Sequence, residues 1–78
     1  MALEIYREGE VYYVRQGQGA VALRWYRDGE HWSCAKEKLP STVERVEVGD
    51  LPGDLQEELL AFLARAETMG NQIWSSPN

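Results

Sequence analysis

Few residues in this chain are of types that do chemistry: one histidine, one cysteine, scattered carboxylates, and tyrosines interleaved with arginines. His31 and Cys34 stand three apart. An imidazole beside a thiol lowers the thiol pKa and accepts its proton, which is how cysteine nucleophiles are activated. On an extended strand side chains alternate, so residues three apart point to opposite faces. The spacing predicts a quiet, buried Cys34, a surface His31 and no dyad between them. One Cys and one His also fall short of a four-ligand zinc site, and a lone Cys excludes an internal disulfide. Glu57 and Glu58 are neighbours on a helix, while Glu44, Glu47 and Asp50 spread along a strand and loop, so no carboxylate pair converges for acid–base work. One sheet and one helix leave little room for the cavity of about 300–1,000 Å³ that small-molecule sites use. Gly17-Gln18-Gly19 lacks the third glycine and the following helix of a dinucleotide fingerprint, and it reads as a turn. The expectation is a protein that is not an enzyme and that holds no cofactor or metal.

The elements that position these residues follow from a ten-residue rhythm. Glu8-Gly9, Gln18-Gly19 and Asp28-Gly29 separate runs rich in Tyr, Val, Trp and Leu, and such pairs suit two-residue hairpin turns. Four antiparallel strands are expected, Ala2 to Arg7, Glu10 to Gln16, Ala20 to Arg27 and Glu30 to Lys36. Counting outward from these turns sets Ile5, Tyr12, Trp25 and Trp32 in one row, and Leu3, Val14, Leu23 and Cys34 in the next. The row beside the first and third turns reads Arg7, Glu10, Arg27, Glu30, with alternating charge across the strands.

Pro40 ends the meander. Residues 42–48 read as a fifth strand with Val46 and Val48 on one face and Arg45 and Glu47 on the other; its partner strand is left open. A helix over 53–69 follows, with Asp50 or Asp54 as N-cap, Gly70-Asn71 as the stop, and Leu55, Leu59, Phe62, Leu63, Ala66 and Met69 as its apolar stripe. The tail, 70–78, carries Ile73 and Trp74, which fit either a return to the core or contact with a second chain. The fold class is α+β: a four- to five-stranded antiparallel β-meander with one C-terminal helix packed on one face, a single domain over 1–78.

The helix covers one face of the sheet only. Tyr6, Val11, Tyr26 and His31 form one row of the other face, and Glu4, Tyr13, Arg24 and Ser33 a second. Tyr and Arg are enriched where proteins meet, whereas an idle wet face usually carries Thr, Lys and Glu. Tyr6, Tyr13, Arg24, Tyr26 and His31 are therefore the candidate partner-binding residues. A net charge of −5 and a pI near 4.7 work against a general nucleic-acid or anionic-membrane binder. No basic leader precedes an apolar run, so a cytoplasmic protein is expected. The expected function is a small non-catalytic protein-binding module, an adaptor, regulatory subunit or inhibitor, with a homodimer as one form. Two alternatives remain: an acidic inhibitor of the kind a phage or mobile element encodes to mimic nucleic acid, and a single-stranded nucleic-acid binder that stacks bases on the Tyr/Arg face.

Overall fold

A computed structural model describes residues 3–16 and 21–68. Strands β1 (Leu3–Glu8), β2 (Val11–Gln16), β3 (Val21–Asp28), β4 (His31–Lys38) and β5 (Glu44–Val46) form one antiparallel sheet in the order β4-β3-β2-β1-β5. A short 3₁₀ turn (Val48–Asp50) leads to α1 (Gly53–Thr68). The middle turn at 17–19, the helix stop at Gly70-Asn71, and Met69, Ile73 and Trp74 lie outside the described residues, as does the side chain of Ala66. No helix among the described residues is long and apolar enough to cross a membrane.

The alternation of apolar residues places every strand side chain on its expected face. Ile5, Tyr12, Val14, Leu23 and Trp25 form the core with Leu51, Leu55 and Leu59, and Leu3, Trp32, Cys34, Val46, Phe62 and Leu63 pack against it. The expected pairing of β2 with β3 holds, with Tyr12 opposite Trp25 and Val14 opposite Leu23. The outer two hairpins are shifted by two residues. Glu8 pairs with Val11 and Asp28 with His31, so the loops are Gly9-Glu10 and Gly29-Glu30. Both glycines have positive φ, +63° and +67°. Glycine stands first in each loop, where a type II′ turn calls for it, rather than second. The shift corrects the rows: Ile5 faces Val14, Trp25 faces Cys34, and Trp32 faces Arg27. A two-residue slip preserves every face, which is why hydrophobic patterning could not exclude it.

The expected alternating charge row is absent, because Glu10 and Glu30 sit in the loops. Arg7 and Arg27 instead reach distant carboxylates, Arg7 Nη2 to Glu44 Oε1 and Arg27 Nη1 to Asp54 Oδ2, each at 2.7 Å. The fifth strand is shorter than expected and pairs with β1. Val46 faces Ile5 and joins the core, but Val48 lies in the 3₁₀ turn and is 49% exposed. Asp50 caps that turn, accepting from the Glu47 N–H at 2.9 Å, and does not cap α1.

Six residue steps from Lys38 to Glu44 span at most about 21 Å. On a flat sheet, four strand spacings and the offset along the strands would separate them by about 23 Å. The connection also turns at Ser41-Thr42, and the Thr42 hydroxyl donates to Glu8. The sheet is therefore coiled, which lets β5 reach the outer edge of β1.

Candidate functional site

On the face away from α1, register brings most of the candidate residues together. Arg45, Tyr6, Tyr13, Arg24 and Ala35 form one continuous row across all five strands. Tyr26 lies on the same face opposite Ser33, and Glu4 lies opposite Arg15. His31 shares the face but sits at its end, exposed and opposite Asp28, apart from the row. It pairs with a carboxylate-bearing position beside the turn, not with Tyr6 or Tyr26. His31 and Cys34 project from opposite faces of β4, since Cys34 faces Trp25 on the helix side.

The arginines lie over the tyrosine rings. The Arg24 guanidinium carbon is 4.9 Å from the Tyr26 ring centre, and Arg15 and Arg45 each stand 5.7 Å from that of Tyr6. A guanidinium over an aromatic face gains electrostatically and keeps its N–H edges outward for planar acceptors. Part of this donor capacity is spent inside the face. Arg15 Nε donates to Glu4 Oε1 at 2.9 Å, the Tyr6 hydroxyl donates to the same oxygen at 2.9 Å, and Arg24 meets Glu37 at 3.4 Å. The Arg15 hydrogen bond, and then that of Tyr6, holds the Glu4 carboxyl below the usual carboxylate range. Arg45 forms no ion pair among the described residues.

Tyr13 differs from its neighbours. It is only 4% exposed, although no described helix lies over it. Tyr6 and Arg24 flank it across the strands, and Val11 and Arg15 flank it along β2, so long side chains do the covering. Tyr6, Tyr26 and Arg24 are half-buried and Arg45 is exposed. These four, with the exposed His31, Ala35 and Glu37, make up much of the accessible surface of the face.

No family model, curated protein or solved structure matches this chain. The chemistry of its own surfaces is what points to function.

Arg45 is the residue that sequence reasoning left out of the site. Alternation puts it on the polar side of the fifth strand, but with the partner strand open nothing in the sequence ties it to Tyr6. The signal was available in outline: β5 beside β1 brings Arg45 to Tyr6, and β5 beside β4 would not. The expectation of little room for a cavity also needs correction. A cleft of about 350 Å³ opens on the helix side, lined by Arg7, Gly9, Glu10, Tyr12, Arg27, Trp32 and Pro52.

Proposed function

We propose that this protein is a non-catalytic binding module that engages another protein through the sheet face carrying Tyr6, Arg24, Tyr26 and Arg45. The supporting observation is the set of guanidinium-over-ring stacks on the face the helix does not cover. Stacking limits the freedom of both side chains before a partner arrives, so less conformational entropy is lost on association. Rings supply apolar contact area and guanidinium edges supply directed donors, the combination found at binding hot spots. A partner presenting carboxylates or backbone carbonyls beside apolar side chains suits this surface.

Arg45 also strengthens a second reading, in which single-stranded nucleic acid stacks on the same rings, because it raises the arginines of the face to three. Glu4, Glu8, Asp28 and Glu37 share that face, and with the net charge of −5 they oppose a phosphate chain. The protein-binding reading is therefore preferred.

The test compares wild type with Tyr6→Thr/Tyr26→Thr and with the helix-surface pair Glu57→Gln/Glu58→Gln in quantitative affinity capture from lysate, with an oligonucleotide-retention arm. The tyrosine variant should lose a specific protein partner, by about 2 kcal/mol or more for a central anchor, while circular dichroism stays wild-type-like. Equal recovery by the tyrosine variant, with loss in the helix variant, would move function to the acidic helix surface. Salt-sensitive oligonucleotide retention without a protein partner would favour the second reading.

A further inference from the structure

The cleft on the helix side is separate from the Tyr/Arg face and lies where the first turn of α1 leaves the sheet uncovered. Its walls come from both outer hairpins, Arg7, Gly9, Glu10 and Tyr12 from one and Arg27 and Trp32 from the other, with Pro52 closing it at the helix start. Tyr12 and Trp32 meet edge to face, ring centres 6.1 Å apart at 68°, and Arg27 stacks on Trp32 at 4.4 Å. The two-residue register shift makes this arrangement. By placing Arg7 opposite Tyr12 and Arg27 opposite Trp32, it sets each arginine beside a ring on the same face.

Two features of this lining concern a ligand. The indole N–H of Trp32, like that of Trp25 in the core, is buried and completes no hydrogen bond of good geometry, although it favours the ionised Asp54 carboxylate beside the cleft. Arg7 gives one contact to Glu44 and a further one toward Tyr12, and Arg27 one to Asp54, out of the five N–H donors a guanidinium carries. Donors are thus in excess at the cleft, and aromatic surface lies between them. A volume near 350 Å³ is at the lower end of the range of small-molecule sites.

We propose that the cleft binds a small planar carboxylate, its ring against Tyr12 and Trp32 and its acid group received by Arg7 and Arg27. Guanidinium–carboxylate pairs are planar and often bidentate, so the acid group sets orientation while the rings supply apolar contact. Glu10 opposes the binding as a like charge on the rim, and it forms no ion pair among the described residues. This makes the site sensitive to change in both directions.

The experiment is a titration of the full chain, labelled with ¹⁵N, with 1-naphthoate, with the neutral 1-naphthylmethanol and with acetate, following indole and arginine N–H resonances. Naphthoate should shift the Trp32 indole and the Arg7 and Arg27 Nε–H signals along one saturable curve, and the neutral ring and the acid alone should each bind at least about tenfold more weakly. Arg7→Gln should weaken naphthoate about tenfold, and Glu10→Gln, a loop change that leaves core contacts intact, should tighten it about two- to fivefold. Response to the alcohol equal to that of naphthoate, shifts confined to the Arg15, Arg24 and Arg45 Nε–H signals of the other face, or no effect of Glu10→Gln on a measurable affinity would each overturn the proposal. So would the absence of a saturable shift up to about 10 mM, a weaker affinity than any useful site.

Discussion

The two faces of one sheet are built from the same alternating strands and hold themselves together differently. On the helix side, Leu55 and Leu59 are 1% and 3% exposed, and Trp25 meets Phe62 edge to face at 5.5 Å. Shape and apolar area carry that face. On the other side, Tyr13 reaches similar burial with Tyr6, Arg24, Val11 and Arg15 as its flanking neighbours among the described residues. There the rings are polarised against guanidinium groups, two of which, Arg15 and Arg24, are tied to Glu4 and Glu37. The comparison teaches that a sheet can shield its second face without a second layer, provided long amphipathic side chains lie down on it, and that such a cover stays rich in directed donors.

The sharpest way to break the comparison is to excavate each face in turn. Leu55→Ala removes a fully buried contact of the helix and should cost about 2–5 kcal/mol, read as a fall in the urea midpoint. Tyr13→Ala should cost about 2 kcal/mol, close to the value of burying a large ring side chain. Tyr26→Ala, half-buried on the same face, should cost less than about 1 kcal/mol. Equal costs for Tyr13 and Tyr26 would show that the arginine cover does not act as a core.

A change at the hairpin loops loads both faces together. Gly9→Ala or Gly29→Ala has space for the added methyl, but the positive φ remains, so each should cost about 1 kcal/mol, measured by thermal or urea unfolding. Glu10→Ala, in the same loop, should be neutral to within about 0.5 kcal/mol.

Acid titration separates the faces more gently. The carboxyls of Glu4, on the open face, and Asp54, on the helix side, are both held below the usual range. For Asp54 the Arg27 hydrogen bond is the main cause, followed by the Trp32 indole, which favours the ionised carboxylate although its N–H completes no hydrogen bond of good geometry. A depressed folded pKa adds stability above the unfolded pKa, and that stability is lost as pH falls through the folded value. Melting curves from about pH 6 to about pH 3 should therefore drop more steeply for wild type than for Glu4→Gln or Asp54→Asn. Parallel curves would show that neither pair stabilises the fold.

Faces were legible from the sequence, and pairings only in part. Alternation in Leu3-Glu-Ile-Tyr-Arg and in Leu23-Arg-Trp-Tyr-Arg fixes which side chains share a side, because apolar burial rewards that choice over every residue of the strand. Register depends on where glycine sits within a two-residue loop, a preference of about one residue's backbone energy, and the complementary charges of Arg7, Glu10, Arg27 and Glu30 favour the other placement. The arginine partners Glu44 and Asp54 come from the far half of the chain, beyond what local spacing reports. The same holds for Arg45, which joins Tyr6 only through the pairing of β5 with β1. The cleft was hidden for the same reason, since its walls depend on register and on where α1 begins.

That β1–β5 pairing also sets an order of events in time. Hairpins among β1 to β4 draw on neighbours in sequence and close on the microsecond scale, whereas residues 5–7 must wait for residues 44–46. On a growing chain the outer edge of β1 stays open until β5 emerges, and the apolar face above Ile5 and Trp25 stays bare until Leu51, Leu55 and Leu59 follow. The nascent protein passes through a stage with a free strand edge beside exposed rings, the combination that recruits other chains. Rapid synthesis of the stretch from Pro40 to Leu59 is then a protection against aggregation.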